Sequence, residues 1–238
     1  MEPHAVVSHE EWLLARTAHL AREKELTRAR DALARERQAL PWERVDKPYV
    51  FDALEGRMTL ADLFDGRGQL IVKHFMMGPD WEEGCVGCSF HSDHIDASMM
   101  HLEHHDVSFV AISRAPLARI DAYKARMGWR FRWVSSFGGD FNYDYQVSFT
   151  AEQMANGATY NYERREIGSD EMSGMSAFLK DATGAIFHTY SCYARGADSL
   201  IGAYSLLDLT PKGRAETGPN HNLTDWVRRH DRYDGTGR

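Results

Sequence analysis

The chain has 238 residues, of which 43% are hydrophobic and 26% are charged, and its formal net charge at pH 7 is −7. This length suits one large domain, or one domain with an extension, and there are enough apolar residues for a sizeable core. The negative charge argues against nucleic acid or an anionic membrane as the main partner, because both attract basic surfaces. No apolar run approaches the roughly 18 residues of a membrane-spanning helix.

The cysteines and the N-terminus indicate the compartment. Met1-Glu2-Pro3-His4 lacks the basic and then apolar layout of a secretion signal, so we expect a cytoplasmic location. The 3 cysteines are too few for the disulfide framework of a small secreted protein. In a reducing compartment, a C-x-x-C pair is more often catalytic or metal-binding than structural.

Residues 9–40 predict one long helix. Leu13, Leu20 and Leu26 alternate with alanines and charged residues, and Pro41 ends the pattern because proline cannot continue the hydrogen-bond ladder. Either this helix lays one apolar stripe on its own domain, or it is an arm that forms a homodimer with a second subunit. Its arginines and lysines are balanced by glutamates, which argues against a nucleic-acid arm.

Strand and helix patterns then alternate along the chain. The order strand, helix, strand, helix, strand is typical of parallel strands joined by right-handed crossovers. The predicted elements are a strand at 49–51, a helical turn at 59–64, strands at 70–75, 107–112 and 131–134, and helices at 89–105 and 116–127.

The rest of the chain is less regular. Residues 137–170 are rich in glycine, asparagine and aromatic residues, and we interpret them as an insertion or a lid. Residues 176–180 and 185–190 predict an antiparallel hairpin around an Asp-Ala-Thr-Gly turn. Residues 198–207 predict a final helix.

The central feature of the sequence is the passage from the strand at 70–75 to two cysteines, Cys85 and Cys88, at the start of a helix. A helix N-terminus presents unpaired N–H groups and a partial positive charge, which stabilise a thiolate. A C-x-x-C pair between a strand and a helix therefore indicates a dithiol redox site.

The layout as a whole resembles the thioredoxin-like fold, and more specifically the bacterial family called domain of unknown function 899, which is allied to the peroxiredoxin and thioredoxin superfamily. The segments that carry this resemblance are 75–85, 88–90, 113–117, 127–129, 133–138, 140–144 and 209–214. The resemblance implies an α/β, three-layer thioredoxin-like fold with a central mixed sheet, an N-terminal helical extension and an insertion before the hairpin. We expect the extension at 1–47, the thioredoxin-like domain at 48–211 and a polar tail at 212–238.

Two departures from better-known relatives bear on the activity. Thioredoxins carry a cis-proline before the first hairpin strand, and Met175 stands near that position here. Peroxiredoxins place a proline seven residues before the reactive cysteine with a Thr or Ser between them. Pro79 stands six before Cys85 and neither residue type intervenes, which disfavours a peroxiredoxin-type peroxidase.

We therefore predict thiol–disulfide exchange without an organic cofactor, on a protein or small-molecule disulfide or thiol. Cys85 attacks as the thiolate and Cys88 resolves the mixed disulfide. The acidic residues Glu82 and Glu83 oppose thiolate formation, whereas the helix terminus favours it.

Four further residues are candidates for supporting or substrate-binding roles. Trp81 flanks the dithiol and either shields it or only packs. His91, one turn after Cys88, is placed for proton transfer. Arg114 follows the second parallel strand. The sequence allows three roles for it there: it could hold an anionic substrate group, favour the Cys85 thiolate, or form a local salt bridge. Met175 stands near the position that the cis-proline occupies in thioredoxins.

Two alternatives stay open at this point. In the first, Cys85 reduces peroxide through a sulfenic acid. In the second, the protein is a non-catalytic binding or assembly module stabilised by zinc. A lone C-x-x-C is half a zinc site, and His188 and Cys192 have the spacing to complete a four-ligand set with Cys85 and Cys88.

Overall fold

The structure, a computed structural model, describes residues 4–219 and 225–233. The chain divides into two compact units, 1–42 and 43–238. The first unit is built on α1 (His9–Gln38), which begins with a capping box in which the Ser8 side chain and the Glu11 side chain each bind the other residue's backbone N–H. None of the residues of α1 is buried.

The second unit contains an eight-stranded mixed sheet with the order β1-β10-β9-β4-β5-β6-β2-β3. Strands β4, β5 and β6 are parallel, and β9 runs antiparallel beside β4. A separate two-stranded sheet pairs β7 with β8. The strands are β1 (Glu43–Arg44), β2 (Val50–Ala53), β3 (Gly56–Thr59), β4 (Gln69–His74), β5 (Val107–Ser113), β6 (Arg132–Ser135), β7 (Ala158–Tyr160), β8 (Glu163–Arg165), β9 (Gly174–Lys180) and β10 (Ile186–Tyr193).

Helices connect these strands. Two of them, α2 and α4, form the crossovers between the parallel strands, and the others are one or two turns long. The helices of this unit are α2 (Val86–Asp96), α3 (Met99–His104), α4 (Leu117–Met127), α5 (Phe141–Asp144), α6 (Ala151–Asn156) and α7 (Gly202–Leu207), with 3₁₀ turns at Asp62–Phe64, Ala194–Leu200 and His230–Arg232.

The sheet separates two apolar cores because successive side chains of a strand point to opposite faces. On one face, Phe75 directly after β4 and Phe109 on β5 pack against α2 and α4, together with Cys88. On the other face, Leu70 and Val72 pack against aromatic residues from 137–170. The irregular segment thus places its apolar residues on the face opposite to the cysteine-bearing helix.

The predicted elements are found with several differences. The helix predicted over 89–105 is two helices, α2 and α3, and the Asp96 carboxylate at the end of α2 accepts hydrogen bonds from the backbone N–H of Arg130, at 2.6 Å, and of Phe131. The final helix begins as a 3₁₀ turn. The two-residue strand β1 and the hairpin strand β3 carry too little pattern to be predicted.

The fold class is confirmed: the protein is a mixed α/β, thioredoxin-like fold with a central mixed sheet and an N-terminal helix. Parallel strands β4 and β5, with β9 antiparallel beside β4 and β10 antiparallel beside β9, form the core of that arrangement. Across 4–219 and 225–233, none of the helices combines the length and the apolar character that crossing a membrane requires.

Candidate functional site

The loop between β4 and α2 carries the chain to Cys85, and Gly84 is the residue on which its path depends. A Cβ at position 84 would lie 2.6 Å from a ring carbon of Phe75 and 2.9 Å from one of Tyr123. Both rings are buried, at 1% and 4% exposure. Only glycine lets the backbone pass this closely over the two rings before the helix begins.

A hydrogen-bonded network holds the backbone of Gly84 and Cys85. The guanidinium of Arg229 donates to the Gly84 carbonyl at 2.6 Å and to the Tyr123 hydroxyl at 2.9 Å. The Ser89 hydroxyl donates to the Cys85 carbonyl at 2.8 Å. Because Ser89 has a single hydroxyl proton, the Tyr123 hydroxyl is the donor in their 2.8 Å contact.

Cys85 is the N-cap residue of α2 and is partly exposed, and its pKa is lowered from 9.0 to about 6. The largest cause is a hydrogen bond from the Cys88 thiol, and burial opposes it. The backbone N–H groups of Cys88 and Gly87 and the positive charge of Lys73 add to the lowering. The sulfur at position 85 is therefore a thiolate at neutral pH.

Cys88 differs from its neighbour in burial and in proton affinity. It lies one turn into α2 at 2% exposure, and its sulfur accepts the Met76 N–H at 3.5 Å. Its pKa is raised well above 9.0, first because its proton is bound to the Cys85 sulfur and second because it is buried. The two thiols are not joined by a disulfide. The pair thus consists of one accessible nucleophile and one protected thiol.

Lys73 places a positive charge beneath the dithiol. It lies on β4 at 3% exposure, and its ammonium donates to Nδ1 of His91 at 3.1 Å. His91 is also buried, and burial together with the charge of Lys73 lowers the pKa of its imidazole, so His91 is neutral. His91 is thus placed beside Lys73, as part of the surroundings of the cysteines.

Glu83 does not present an uncompensated negative charge to Cys85. Arg126, Arg229 and Arg232 all form ion pairs with its carboxylate, those of Arg229 and Arg232 at 2.8 and 3.2 Å. The hydrogen bond from Arg126 is the largest cause of the lowered pKa of Glu83. The expected opposition of this carboxylate to the thiolate is therefore offset by three guanidinium groups.

Arg114 is engaged by local acidic groups. Its guanidinium donates to the buried Glu171 carboxylate at 2.6 Å, contacts Asp170 at 3.5 Å and donates to the Tyr143 hydroxyl. Burial raises the pKa of Glu171 to about 7, although Arg114 and the Ser148 hydroxyl lower it. Of the interpretations offered by the sequence, this structure shows the local ion pair.

Trp81 and Met175 pack around the site without polar contact to the thiols. The Trp81 ring lies against Gly78, and the Arg119 guanidinium donates to the Trp81 carbonyl at 3.1 Å. Met175 pairs with Lys73 on one side and with Cys192 on the other, across three neighbouring strands. Both side chains belong to the same apolar core as Cys88.

The alternative metal set is not assembled. Cys192 is opposite Met175 and His188 is opposite Phe178, so the partners of the two residues are three positions apart on β9, because a β-bulge lies between His188 and Tyr190 on β10. An odd spacing puts the two side chains on opposite faces of the sheet, with Cys192 on the dithiol face. His188 bonds instead to the Ser191 hydroxyl at 2.7 Å. Over the described ranges, no group of three or more His, Cys, Asp or Glu residues is arranged to hold a metal ion.

Sequence patterns did not identify several residues of the site. In the sequence, Lys73 only interrupts an apolar strand. Its position directly before the end of that strand is the signal that could have identified it as a residue of the site. Arg229 lies 145 residues after Gly84 in the chain, and Tyr123 reads as one aromatic residue of a core helix. Neither of these two carries a local pattern that links it to the cysteines.

Three solved structures with a similar chain fold are peroxiredoxins. Peroxidoxin BcpB of Mycobacterium tuberculosis is 12% identical with a TM-score of 0.45, over 68% of this chain and 93% of that one. PrxQ of Xylella fastidiosa is 13% identical with a TM-score of 0.45, over 69% and 94%. Peroxiredoxin Q of Xanthomonas campestris is 14% identical with a TM-score of 0.44, over 71% and 97%. These similarities concern the course of the chain and not its chemistry.

The sequence comparisons identify the family. None of the curated proteins matches this sequence. The family described as "Bacterial protein of unknown function (DUF899)" matches residues 1–233, which include all of the β4–α2 region and the C-terminal segment that holds it. The protein therefore belongs to the DUF899 family.

Proposed function

We propose that the protein is a thiol–disulfide oxidoreductase in which Cys85 is the nucleophile and Cys88 the resolving thiol. The observation that carries this proposal is the difference between the two sulfurs. Cys85 is partly exposed with a pKa of about 6, and Cys88 is buried with a pKa raised well above 9.0. Titratable pairs whose pKa values are driven apart by their surroundings are typical of catalytic sites.

The thiolate of Cys85 and the protonated thiol of Cys88 suit the two steps of thiol–disulfide exchange. The Cys85 thiolate attacks one sulfur of a disulfide, forms a mixed disulfide and releases a thiolate. Cys88 keeps its proton until its partner at position 85 is no longer a negatively charged acceptor. It then loses the proton, attacks the Cys85 sulfur and releases the second thiolate. Burial of Cys88 protects this resolving thiol from side reactions before that point.

Three substitutions test the proposal in a single-turnover reaction, in which the protein is reduced with dithiothreitol, freed of it, and mixed with a chromogenic aromatic disulfide that dithiothreitol itself would reduce. Cys85→Ser should abolish turnover because the nucleophile is lost. Cys88→Ser should stop after one exchange and retain the mixed disulfide on Cys85, which mass spectrometry of the intact protein detects. Cys192→Ser, which removes the third cysteine, should leave turnover within about twofold and serves as the matched control.

Full turnover by Cys85→Ser would contradict the proposal. A parallel reaction with hydrogen peroxide in place of the disulfide distinguishes peroxide reduction from thiol–disulfide exchange. If the pre-reduced wild-type protein, freed of dithiothreitol, consumes peroxide and leaves the aromatic disulfide unreduced, then the reaction at Cys85 is peroxide reduction through a sulfenic acid.

A further inference from the structure

A buried cation lies beneath the dithiol without an acidic partner. Lys73 is 3% exposed, and its strand neighbours Ala111 and Met175 are both buried and apolar. Within 4–219 and 225–233, the side-chain contact of its ammonium is with His91, and no carboxylate lies at ion-pair distance. A buried charge of this kind requires a compensating group nearby.

His91 cannot supply a negative charge. Its Nδ1 accepts the hydrogen bond from Lys73, so the ring proton is on Nε2, which has no hydrogen-bond partner among the described residues. His91 lies on α2, three residues after Cys88. Lys73 lies on β4 and reaches this helix through its hydrogen bond to His91. The groups that can become anionic here are the two sulfurs, and the charge of Lys73 favours the thiolate of each.

We propose that Lys73 is the positioning residue that makes this dithiol site oxidising, because its buried ammonium has the Cys85 thiolate as a nearby negative charge in the reduced state and lacks that charge in the disulfide state. This inference rests on the proposed function, since it concerns the equilibrium between the two states of the same pair. It assigns a direction to the site: the disulfide form passes its oxidising equivalents to other thiols.

The balanced reaction shows where the charge is lost. The protein thiolate and thiol react with a small disulfide R–S–S–R and one proton to give the Cys85–Cys88 disulfide and two R–SH molecules. The R–S–S–R bond breaks, the Cys85–Cys88 bond forms, and two electrons pass from the protein to the small disulfide. One of the two protons comes from Cys88 and the other from solvent. The negative charge beside Lys73 disappears, while the ammonium remains buried.

Stabilising the reduced form of a dithiol raises its reduction potential, so the disulfide is the stronger oxidant. Replacing the ammonium by a neutral group of similar length removes its stabilisation of the Cys85 thiolate. The same replacement removes the cost of a buried, uncompensated ammonium in the disulfide state. Lys73→Met does this, and its apolar side chain suits the surrounding Ala111 and Met175.

The experiment is an equilibrium titration in glutathione buffers, with the Cys85–Cys88 disulfide quantified by mass-resolved alkylation. We expect the Lys73→Met protein to form its disulfide at an oxidised-to-reduced glutathione ratio about tenfold lower than the wild-type protein, a shift of about 30 mV toward a more reducing potential. Lys73→Gln, which keeps a polar contact to His91 but no charge, should shift in the same direction. Lys212→Met, which removes an exposed lysine, is the control and should match the wild type.

A second readout separates charge from packing. The alkylation rate of Cys85 as a function of pH gives its pKa, which should rise in both Lys73 variants because the thiolate loses a positive charge that favours it. A role of Lys73 in packing alone would change stability and leave this pKa in place.

The outcomes of the titration are distinguishable. If the wild-type protein forms no Cys85–Cys88 disulfide, the proposed function fails and the inference with it. If the disulfide forms but the equilibrium is the same in the folded Lys73→Met or Lys73→Gln protein, or shifts toward the dithiol, the inference alone is overturned. The use of two neutral variants keeps the test available when one of them does not fold.

Discussion

The low pKa of Cys85 depends first on the hydrogen bond from the Cys88 thiol, and this contact can be removed by one substitution. The pKa falls from 9.0 to about 6, and each unit corresponds to about 1.4 kcal/mol, so the surroundings favour the thiolate by about 4 kcal/mol. Because the Cys88 thiol is the largest contribution, Cys88→Ala should raise the Cys85 pKa by at least about one unit.

The measurement is the alkylation rate of Cys85 across its titration, read from the mass of the Cys85 peptide so that Cys192 does not interfere. At a pH near 6, the thiolate fraction should fall from about one half in the wild-type protein to about one tenth or less in Cys88→Ala. Cys88→Ser retains an O–H donor at the same position and should show a smaller rise in pKa. The pair of variants separates the hydrogen bond from the contribution of the helix N-terminus.

Two results would refute this reasoning. A wild-type Cys85 that titrates near 9 would show that the helix start, Lys73 and the Cys88 thiol do not stabilise the thiolate. A Cys88→Ala protein with an unchanged Cys85 pKa would show that the hydrogen bond is not the main cause, and the N–H groups of the helix would then carry the effect.

Two further predictions concern the frame around the site. Gly84→Ala should lower the free energy of unfolding by about 1–3 kcal/mol in urea denaturation, because the new methyl group meets the rings of Phe75 and Tyr123; Gly168→Ala, where a Cβ meets nothing within 4 Å, is the control and should stay within about 0.5 kcal/mol of wild type. The second concerns Glu171, whose pKa of about 7 in the folded protein lies above its ordinary 4.5 because burial disfavours the carboxylate. The protonated form therefore contributes stability that is complete below pH 4.5 and is lost as pH rises through 7, and over this window the wild-type protein should lose roughly 3 kcal/mol relative to Glu171→Gln. Parallel stability curves for these two proteins between pH 4.5 and 7 would contradict it.

The parts of the fold that were predictable from sequence are those with local causes. The apolar run at 70–75, the two cysteines and the periodic residues after them produce β4 and the start of α2, since strand length, helix capping and motif spacing act over a few residues. The same holds for the hairpin of β9 and β10, which a short turn closes.

The parts that were not predictable depend on contacts between distant segments. The end of α2 is held by the Asp96 carboxylate, which binds backbone N–H groups 34 and 35 residues later. The Arg229 network joins the C-terminal segment to Gly84 in the same way. The burial of Lys73 depends on which strands flank β4, and strand order is not a property of the local sequence.

The most direct test of the central claim is the redox state of Cys85 and Cys88, followed by mass-resolved alkylation of freshly purified protein. The protein is treated with glutathione disulfide, sampled, and then treated with dithiothreitol. We predict that the two cysteines become joined in a disulfide under the oxidant and return to free thiols under the reductant. Cysteines that stay fully open to alkylation throughout, with no disulfide between them, would contradict a dithiol redox function.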